Sequence, residues 1–283
     1  MEHLPVTIYT PASPVRNPGR LLSEMFRDLG ASRELAWRLF IRDLSAQYRQ
    51  TFLGYLWAFL PPLVTSLTFI YLNSQGIIRI DGGGMPYAAF ALIGTLLWQI
   101  FVDAIHCPSQ AIIASKSMLA KINFPREAVL LGGLYMVLFN LAIRLTLLIA
   151  VMLYWEITPG AGLLLFPVAM GGLLAAGFAV GMAISPVGVL YGDINRGLPI
   201  VTQFWMLLTP VVYPPKLHGL AGFLSTWNPL SPLITTARET LCGQPLTLLV
   251  PFMVVSVGSV VLVFLGWVSF RLAIPLLIER MGG

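Results

Sequence analysis

The chain has 283 residues, of which 57% are hydrophobic and only 10% are charged. Because soluble domains usually carry about 25% charged residues, this composition excludes an ordinary soluble protein and indicates a polytopic membrane protein. The formal net charge of +5 does not indicate nucleic-acid binding. The basic residues lie in short segments between apolar stretches, where they orient membrane spans.

The chain begins with a predicted cytoplasmic tail and lead-in over residues 1–31. Residues 1–20 contain four prolines and no apolar core, so they do not resemble a signal peptide. Residues 21–31 are expected to form a short amphipathic or irregular lead-in to the next element.

Residues 32–50 are predicted to form an amphipathic interfacial helix. One stripe is apolar and aromatic, and the opposite stripe is rich in arginine. The stripes are Trp37, Phe40, Ile41, Leu44 and Tyr48, and Arg38, Arg42, Ser45 and Arg49. This pattern is typical of a helix lying in the headgroup plane of a membrane. An amphipathic helix packed on protein is the alternative.

Residues 51–283 are predicted to form an all-α membrane domain with six spans. The expected spans are 52–72, 87–105, 128–155, 163–190, 198–213 and 247–270. Pro61 and Pro62 should kink the first span, and inner loops are expected at 107–127 and 191–197. Gly177 and Gly181, four residues apart in the fourth span, permit close contact with another helix.

The segment between the fifth and sixth spans is too broken by proline to cross the membrane and too apolar for an ordinary loop. It is predicted to form two re-entrant half-helices in the outer leaflet, at about 217–225 and 232–242. Such backbone is tolerated at membrane depth where protein buries it or a watery cavity wets it.

The basic residues set the orientation. Of the 17 lysines and arginines, 13 fall in the predicted inner segments, three in the outer segments, and one, Arg144, within a span. Both termini are therefore expected in the cytoplasm, with the chain a multi-pass protein of a bacterial inner membrane. Cys107 and Cys242 then lie on opposite sides, and no disulfide between them is expected.

The sequence offers little for catalysis. The three histidines, His3, His106 and His218, lie too far apart to form one metal site. No glycine loop ending in Gly-Lys-Ser or Gly-Lys-Thr is present to hold ATP phosphates. We therefore expect no metal and no cofactor in this chain, and a transport subunit in place of an enzyme.

Four segments together resemble the membrane subunit of ABC exporters of the type-2 permease family, in the branch that exports cell-surface polysaccharides. They are RDLSAQYRQTFLGYLWAFLPPL (42–63), SKSMLAKINFPRE (115–127), LYGDINR (190–196) and WNPLSPLITTARE (227–239). The third segment often reads Tyr-Arg-Asp in relatives. Here Gly192 stands at the arginine position, so no role is carried over to it.

This resemblance implies a homodimer of the chain with two separate nucleotide-binding ATPase subunits, which would hold the ATP and Mg. The implied substrate is an undecaprenyl-linked, O-antigen-like polysaccharide that moves outward through a channel at the two-fold axis. A teichoic acid exporter is the alternative within the family. An ATP-independent lipid flippase and a membrane-embedded transferase are alternatives from other classes.

The resemblance also indicates two sets of working residues. The segment 115–127 resembles the cytoplasmic coupling segment, with apolar side chains for a groove in the ATPase and basic ones at its rim. Its candidate residues are Lys116, Met118, Leu119, Lys121, Phe124 and Arg126. A plain basic inner loop is the alternative. The candidate outer gate consists of Trp227, Asn228, Pro229 and Arg238.

A conduit for glycan would use a polar anchor and aromatic rings. Arg144 is costly within a membrane, so it should meet the lipid-linked pyrophosphate, a sugar, or a structural partner such as Asn140 or Asp103. Sugar faces stack on rings, and the candidate rings are Tyr55, Trp57, Phe59, Trp98, Phe204, Trp205 and Tyr213. The usual aromatic belt and packing against lipid are the alternative for these rings.

Overall fold

The computed structural model describes residues 18–282 except 50, 53, 122–123 and 216–218. The predicted tail before residue 18 therefore lies outside the described residues. The described chain forms helices and no strand. The helices are α1 (Pro18–Ala31), α2 (Arg33–Tyr48), α3 (Leu60–Ser74), α4 (Tyr87–Ala114), α5 (Lys116–Lys121), α6 (Glu127–Tyr154), α7 (Phe166–Leu190), α8 (Gly192–Leu208), α9 (Gly219–Trp227), α10 (Leu230–Leu241) and α11 (Leu249–Gly282).

The prediction of an all-α polytopic membrane protein is confirmed. Within the described residues, four helical stretches are long and apolar enough to cross a membrane: Tyr87–Ala114, Glu127–Tyr154, Gly162–Leu190 and Leu249–Ile274. The two other expected spans correspond to α3 with 15 residues and α8 with 17. Both are shorter than the ~20 residues of a typical span, and the count of six spans stays a prediction.

The prolines of the first expected span act differently from the prediction. Residues 54–58 form a separate 3-10 turn, and α3 begins at Leu60 with Pro61 and Pro62 in its first turn. Proline suits that position, because the first backbone N–H groups of a helix have no partner within it. The two prolines therefore start a helix and do not kink one.

Two predicted inner loops are largely helical. Helix α4 continues through Pro108 to Ala114, and α5 follows after Ser115, so Cys107 is a buried helical residue. Only Tyr191 separates α7 from α8. Proline is tolerated inside membrane helices because neighbouring helices and side chains compensate for its missing N–H.

Helix α4 forms the centre of the core, and α7 packs closely on it. A Cβ atom on Gly177 would lie 2.5 Å from Ala104 Cβ and 2.7 Å from Phe101 O, and one on Gly181 would lie 3.0 Å from Pro108 Cδ. The predicted close helix contact through the two glycines is therefore confirmed.

The bundle has two distinct ends. Helices α1 and α2 lie on α6, and α5 contacts α11; we call this the α5 end. At the opposite end, α10 is enclosed by α4, α7 and α11, and α9 contacts α8; we call this the α10 end. Helices α9 and α10 occupy the positions predicted for the two half-helices.

Candidate functional site

The coupling segment turns its apolar residues toward its own protein. Leu119 is only 6% exposed and packs in a cluster with Ile112, Phe270 and Ile274, and Met118 and Phe124 border the same cluster. The expectation that Leu119 fills a groove in a partner is therefore wrong. Leu119 is instead part of the hydrophobic core at the α5 end.

The polar residues of the coupling segment are more accessible. Lys116 and Lys121 are exposed at the two ends of α5, and Arg126 is half-buried just before α6. A second protein that binds at the α5 end could therefore contact the two lysines without any rearrangement of α5. Residues 122–123, between them and Arg126, lie outside the described chain.

The predicted interfacial helix is divided between protein and surroundings. Ala36, Leu39 and Phe40 are buried in the contact of α2 with α6, whereas Trp37 and Ile41 remain exposed. One edge of α2 therefore packs on protein, as the alternative predicted. Contact of the other, exposed edge with the membrane interface stays a prediction. The side chain of Tyr48 lies outside the described residues.

The arginines of α2 differ in their contacts. Arg42 donates to Asp43 Oδ1 at 2.7 Å and, more weakly, to Ser115 Oγ at 3.4 Å. Ser115 immediately precedes α5, so Arg42 connects α2 with the start of the predicted coupling segment. Arg38 pairs with exposed Glu34 at 2.6 Å, and Arg49 is exposed.

Arg144 pairs with Asp103 across α6 and α4. Its Nη2 donates to Asp103 Oδ1 at 3.1 Å, its Nη1 donates to Asp103 Oδ2, and Nη1 also reaches Gln99 O at 3.3 Å. Only 6% of the Arg144 side chain is exposed. Of the alternatives for this residue, the structure supports a structural pair with Asp103.

A polar cavity of about 470 Å³ lies beside this pair. It opens between α2, α4, α6 and α8, and its polar lining is Asp43, Gln47, Asp103, His106, Gln110 and Asn140. Among the described residues, the buried Oδ1 of Asn140 has no hydrogen-bond partner. Both carboxylates are paired with arginine, Asp43 with Arg42 and Asp103 with Arg144, so the cavity offers hydrogen-bond acceptors with little net charge.

Sequence reasoning missed most of this cavity. Asp103, His106 and Gln110 follow one another at spacings of three and four along α4. This spacing places them on one face of a helix. A polar stripe on an otherwise apolar span was the available signal, but it does not reveal which neighbouring helix faces it.

The candidate conduit rings fall into three groups. Trp98 is 2% exposed and packs against Phe101 and Trp205 with ring centroids 5.2 and 6.5 Å away. The expectation that Trp98 lines a conduit is therefore wrong for this conformation. The half-buried candidates are Phe59, Trp205 and Tyr213, and the exposed ones are Trp57 and Phe204. The side chain of Tyr55 lies outside the described residues.

Asn228 and Arg238 attach α9 and α10 to the chain around the end of α8. Asn228 accepts from Trp205 Nε1 at 3.3 Å and donates to Thr209 Oγ1 at 2.8 Å. Arg238, fully buried, donates to the carbonyl oxygens of Pro210 and Val211, with its guanidinium 3.8 Å from the Phe90 ring centre.

The other two candidate gate residues, Trp227 and Pro229, are exposed. The four candidates thus include two anchors, Asn228 and Arg238, and two surface residues. Both anchors contact the chain around the end of α8 and so connect α9 and α10 with it.

Comparison with known proteins gives consistent matches. The family model described as ABC-2 type transporter matches residues 34–242. The O-antigen export system permease protein of Myxococcus xanthus is 26% identical over 243 residues, which cover 85% of this chain and 92% of that protein. Its counterpart in Klebsiella pneumoniae is 23% identical over 201 residues, covering 70% and 76%. A polysialic acid transport protein of Escherichia coli is 23% identical over 244 residues, covering 82% and 91%.

Proposed function

This chain belongs to the ABC-2 type transporter family, and from that premise we propose that it is the permease subunit of an exporter for a cell-surface polysaccharide. The observation that carries the proposal is the family match over residues 34–242, which includes α5 and the α9–α10 pair. The relatives are named for O-antigen export and polysialic acid transport. We propose an O-antigen-like glycan on an undecaprenyl lipid as the substrate, in accord with the resemblance.

We further propose that two copies of the chain assemble with two ATPase subunits, which bind ATP and Mg and drive export. Exposed Lys116 and Lys121 support a contact between α5 and the ATPase. Arg42 supports a role of α2 beside this contact, because it reaches Ser115 at the start of α5. The buried side chain of Leu119 would hold α5 on the bundle. A movement of the ATPase that displaces Lys116 and Lys121 would then displace the bundle together with α5.

The proposed topology has six spans, with the α5 end and both termini on the cytoplasmic face of the inner membrane. Helix α3 is about 22 Å long and α8 about 25 Å, which is less than the ~30 Å hydrocarbon core. The 3-10 turn at Gly54–Ala58 extends the path of the first span. The distribution of basic residues supports the orientation.

The polar cavity gives the substrate a place of entry. Paired carboxylates, amides and an imidazole are groups that exchange hydrogen bonds with sugar hydroxyls, whereas a bare pyrophosphate needs cations. We propose that the cavity receives a sugar close to the lipid. Exposed Trp57 and Phe204 remain available to line a conduit.

Purification of the tagged chain from its native membrane in mild detergent tests the proposal. We expect a nucleotide-binding subunit to copurify in stoichiometric amount, with ATP hydrolysis and with export of a polysaccharide after reconstitution. A preparation that translocates lipid without any ATPase would favour a flippase, and glycosyl transfer by the isolated chain would favour a transferase.

A further inference from the structure

An ion cluster at the α5 end joins three helices that are distant in sequence. Arg271 on α11 donates from Nη1 to Glu127 Oε1 on α6, and from Nη2 to Asp28 Oδ2 on α1 at 2.7 Å. Glu24 on α1 lies 3.9 Å from Nη2. Glu127 is almost fully buried, with 5% of its side chain exposed, so Arg271 is the cation that neutralises it in this contact.

The cluster is placed at the end of the coupling segment. Glu127 is the last residue of the segment 115–127 and the first of α6. The start of the same segment reaches α11 by a second route, because Leu119 packs with Phe270 and Ile274. An apolar contact and an ionic contact thus connect both parts of the coupling segment with one turn of α11.

Helix α1 holds the same region from the other side. Leu21 and Met25 are buried along its inner face. The ring of Phe26 meets that of Trp267 edge-on, with centroids 5.5 Å apart. Trp267 lies one helical turn before Arg271, so the aromatic and ionic contacts of α1 fall on adjacent turns of α11.

Neither α1 nor α11 lies in the region that the family model matches, which is 34–242. The family match therefore assigns no role to Arg271 or to its contacts on α1. A role for Arg271 is therefore inferred from its contacts with Glu127 and Asp28.

We propose that Arg271 is a positioning residue that ties the coupling segment to the last membrane helix, so that displacement of α5 moves α6, α11 and α1 together. The inference rests on the proposed function, because it needs an ATPase that displaces α5. An arginine suits this task, since its planar fork binds two carboxylates in fixed directions, which the single ammonium of lysine cannot do.

The test is the amount of polysaccharide exported per ATP hydrolysed by the reconstituted complex. Arg271→Gln is expected to assemble and to hydrolyse ATP while exporting about tenfold less per ATP, because charge-assisted hydrogen bonds to a buried carboxylate are lost. The amount exported per ATP by Arg271→Lys should lie between that of Arg271→Gln and that of the parent. Arg196→Gln is the matched control, since it removes an exposed pair with Asp193 that lies outside the cluster, and it should leave the amount exported per ATP unchanged.

Loss of folding in Arg271→Gln alone is addressed by the double variant Arg271→Gln, Glu127→Gln, which removes the buried Glu127 carboxylate together with its cation. A purely structural role predicts that the double variant regains both folding and the parental ratio, and this result would overturn the inference. A folded double variant that still exports about tenfold less per ATP supports it. A parental complex without ATP-driven export would overturn the proposed function, and this inference with it.

Discussion

The arginines Arg144 and Arg238 are both buried within the bundle, but their positive charges are stabilised by different groups. Arg144, on α6, faces the carboxylate of Asp103 in a two-pronged ion pair. Arg238, on α10, has no ion pair within the described residues and instead meets two backbone carbonyl oxygens and the Phe90 ring. The Arg144 site is a neutral ion pair, whereas at the Arg238 site the cation is surrounded by groups with partial negative charge.

The difference determines which partner each site cannot lose. Removing the acid from an ion pair leaves a buried charge, which costs several kcal/mol. Removing a cation from backbone carbonyls leaves neutral acceptors, which cost about 1–3 kcal/mol. The loss of Asp103 from the pair on α4 and α6 is therefore expected to cost more stability than the loss of Arg238 from α10.

The largest effect is expected from Asp103→Leu. Among the described residues, the Arg144 guanidinium would keep only the carbonyl of Gln99, so we expect a loss of about 3–5 kcal/mol in folding free energy. Thermal unfolding of the purified variants in detergent, at one scan rate, measures the order of their stabilities.

The double variant Asp103→Leu, Arg144→Leu is the control, because it removes the charge together with its partner. Replacing both members of a buried ion pair by apolar residues is often nearly neutral, so most of the lost stability should return. A single Asp103→Leu variant as stable as the parent would show that water or lipid, and not Asp103, neutralises Arg144.

A smaller effect is expected from Arg238→Met, which keeps the aliphatic stem and removes the guanidinium. The carbonyls of Pro210 and Val211 lose their donors, and we expect a loss of about 2 kcal/mol. The same melting experiment should place this variant between Asp103→Leu and the parent. A loss larger than that of Asp103→Leu would reverse the comparison of the two sites.

The sequence predicted the elements better than their ends. The apolar stretches indicated the long helices, and the broken segment around residues 214–245 indicated the two short helices α9 and α10. The sequence predicts a kink at Pro61 and Pro62 and an inner loop over 107–127. In the structure, the first two prolines start α3, and Pro108 lies inside α4. A proline removes one backbone donor wherever it occurs, and only the surrounding helices decide whether the loss matters.

The contacts between helices were harder to predict than the helices. The sequence offers Asp103 as a partner for Arg144, because both are polar residues within predicted spans. Arg271 and Asp28 are 243 positions apart and carry no such signal. Periodicity also leaves the direction of a short helix open. Leu119 lies on a helix of six residues, where an apolar side chain can equally face a partner or its own core.

The smallest effect is expected from Phe90→Leu, which removes the ring beneath Arg238 and retains an apolar side chain. A cation above an aromatic ring contributes about 0.5–2 kcal/mol, and the lost packing adds to the change. Phe90→Leu in the Arg238→Met background separates the two, because no cation remains there. We expect Phe90→Leu to destabilise that background less than it destabilises the parent, by about 0.5–1 kcal/mol. Equal effects in both backgrounds would mean that the carbonyl oxygens alone stabilise Arg238, and that the ring merely fills space.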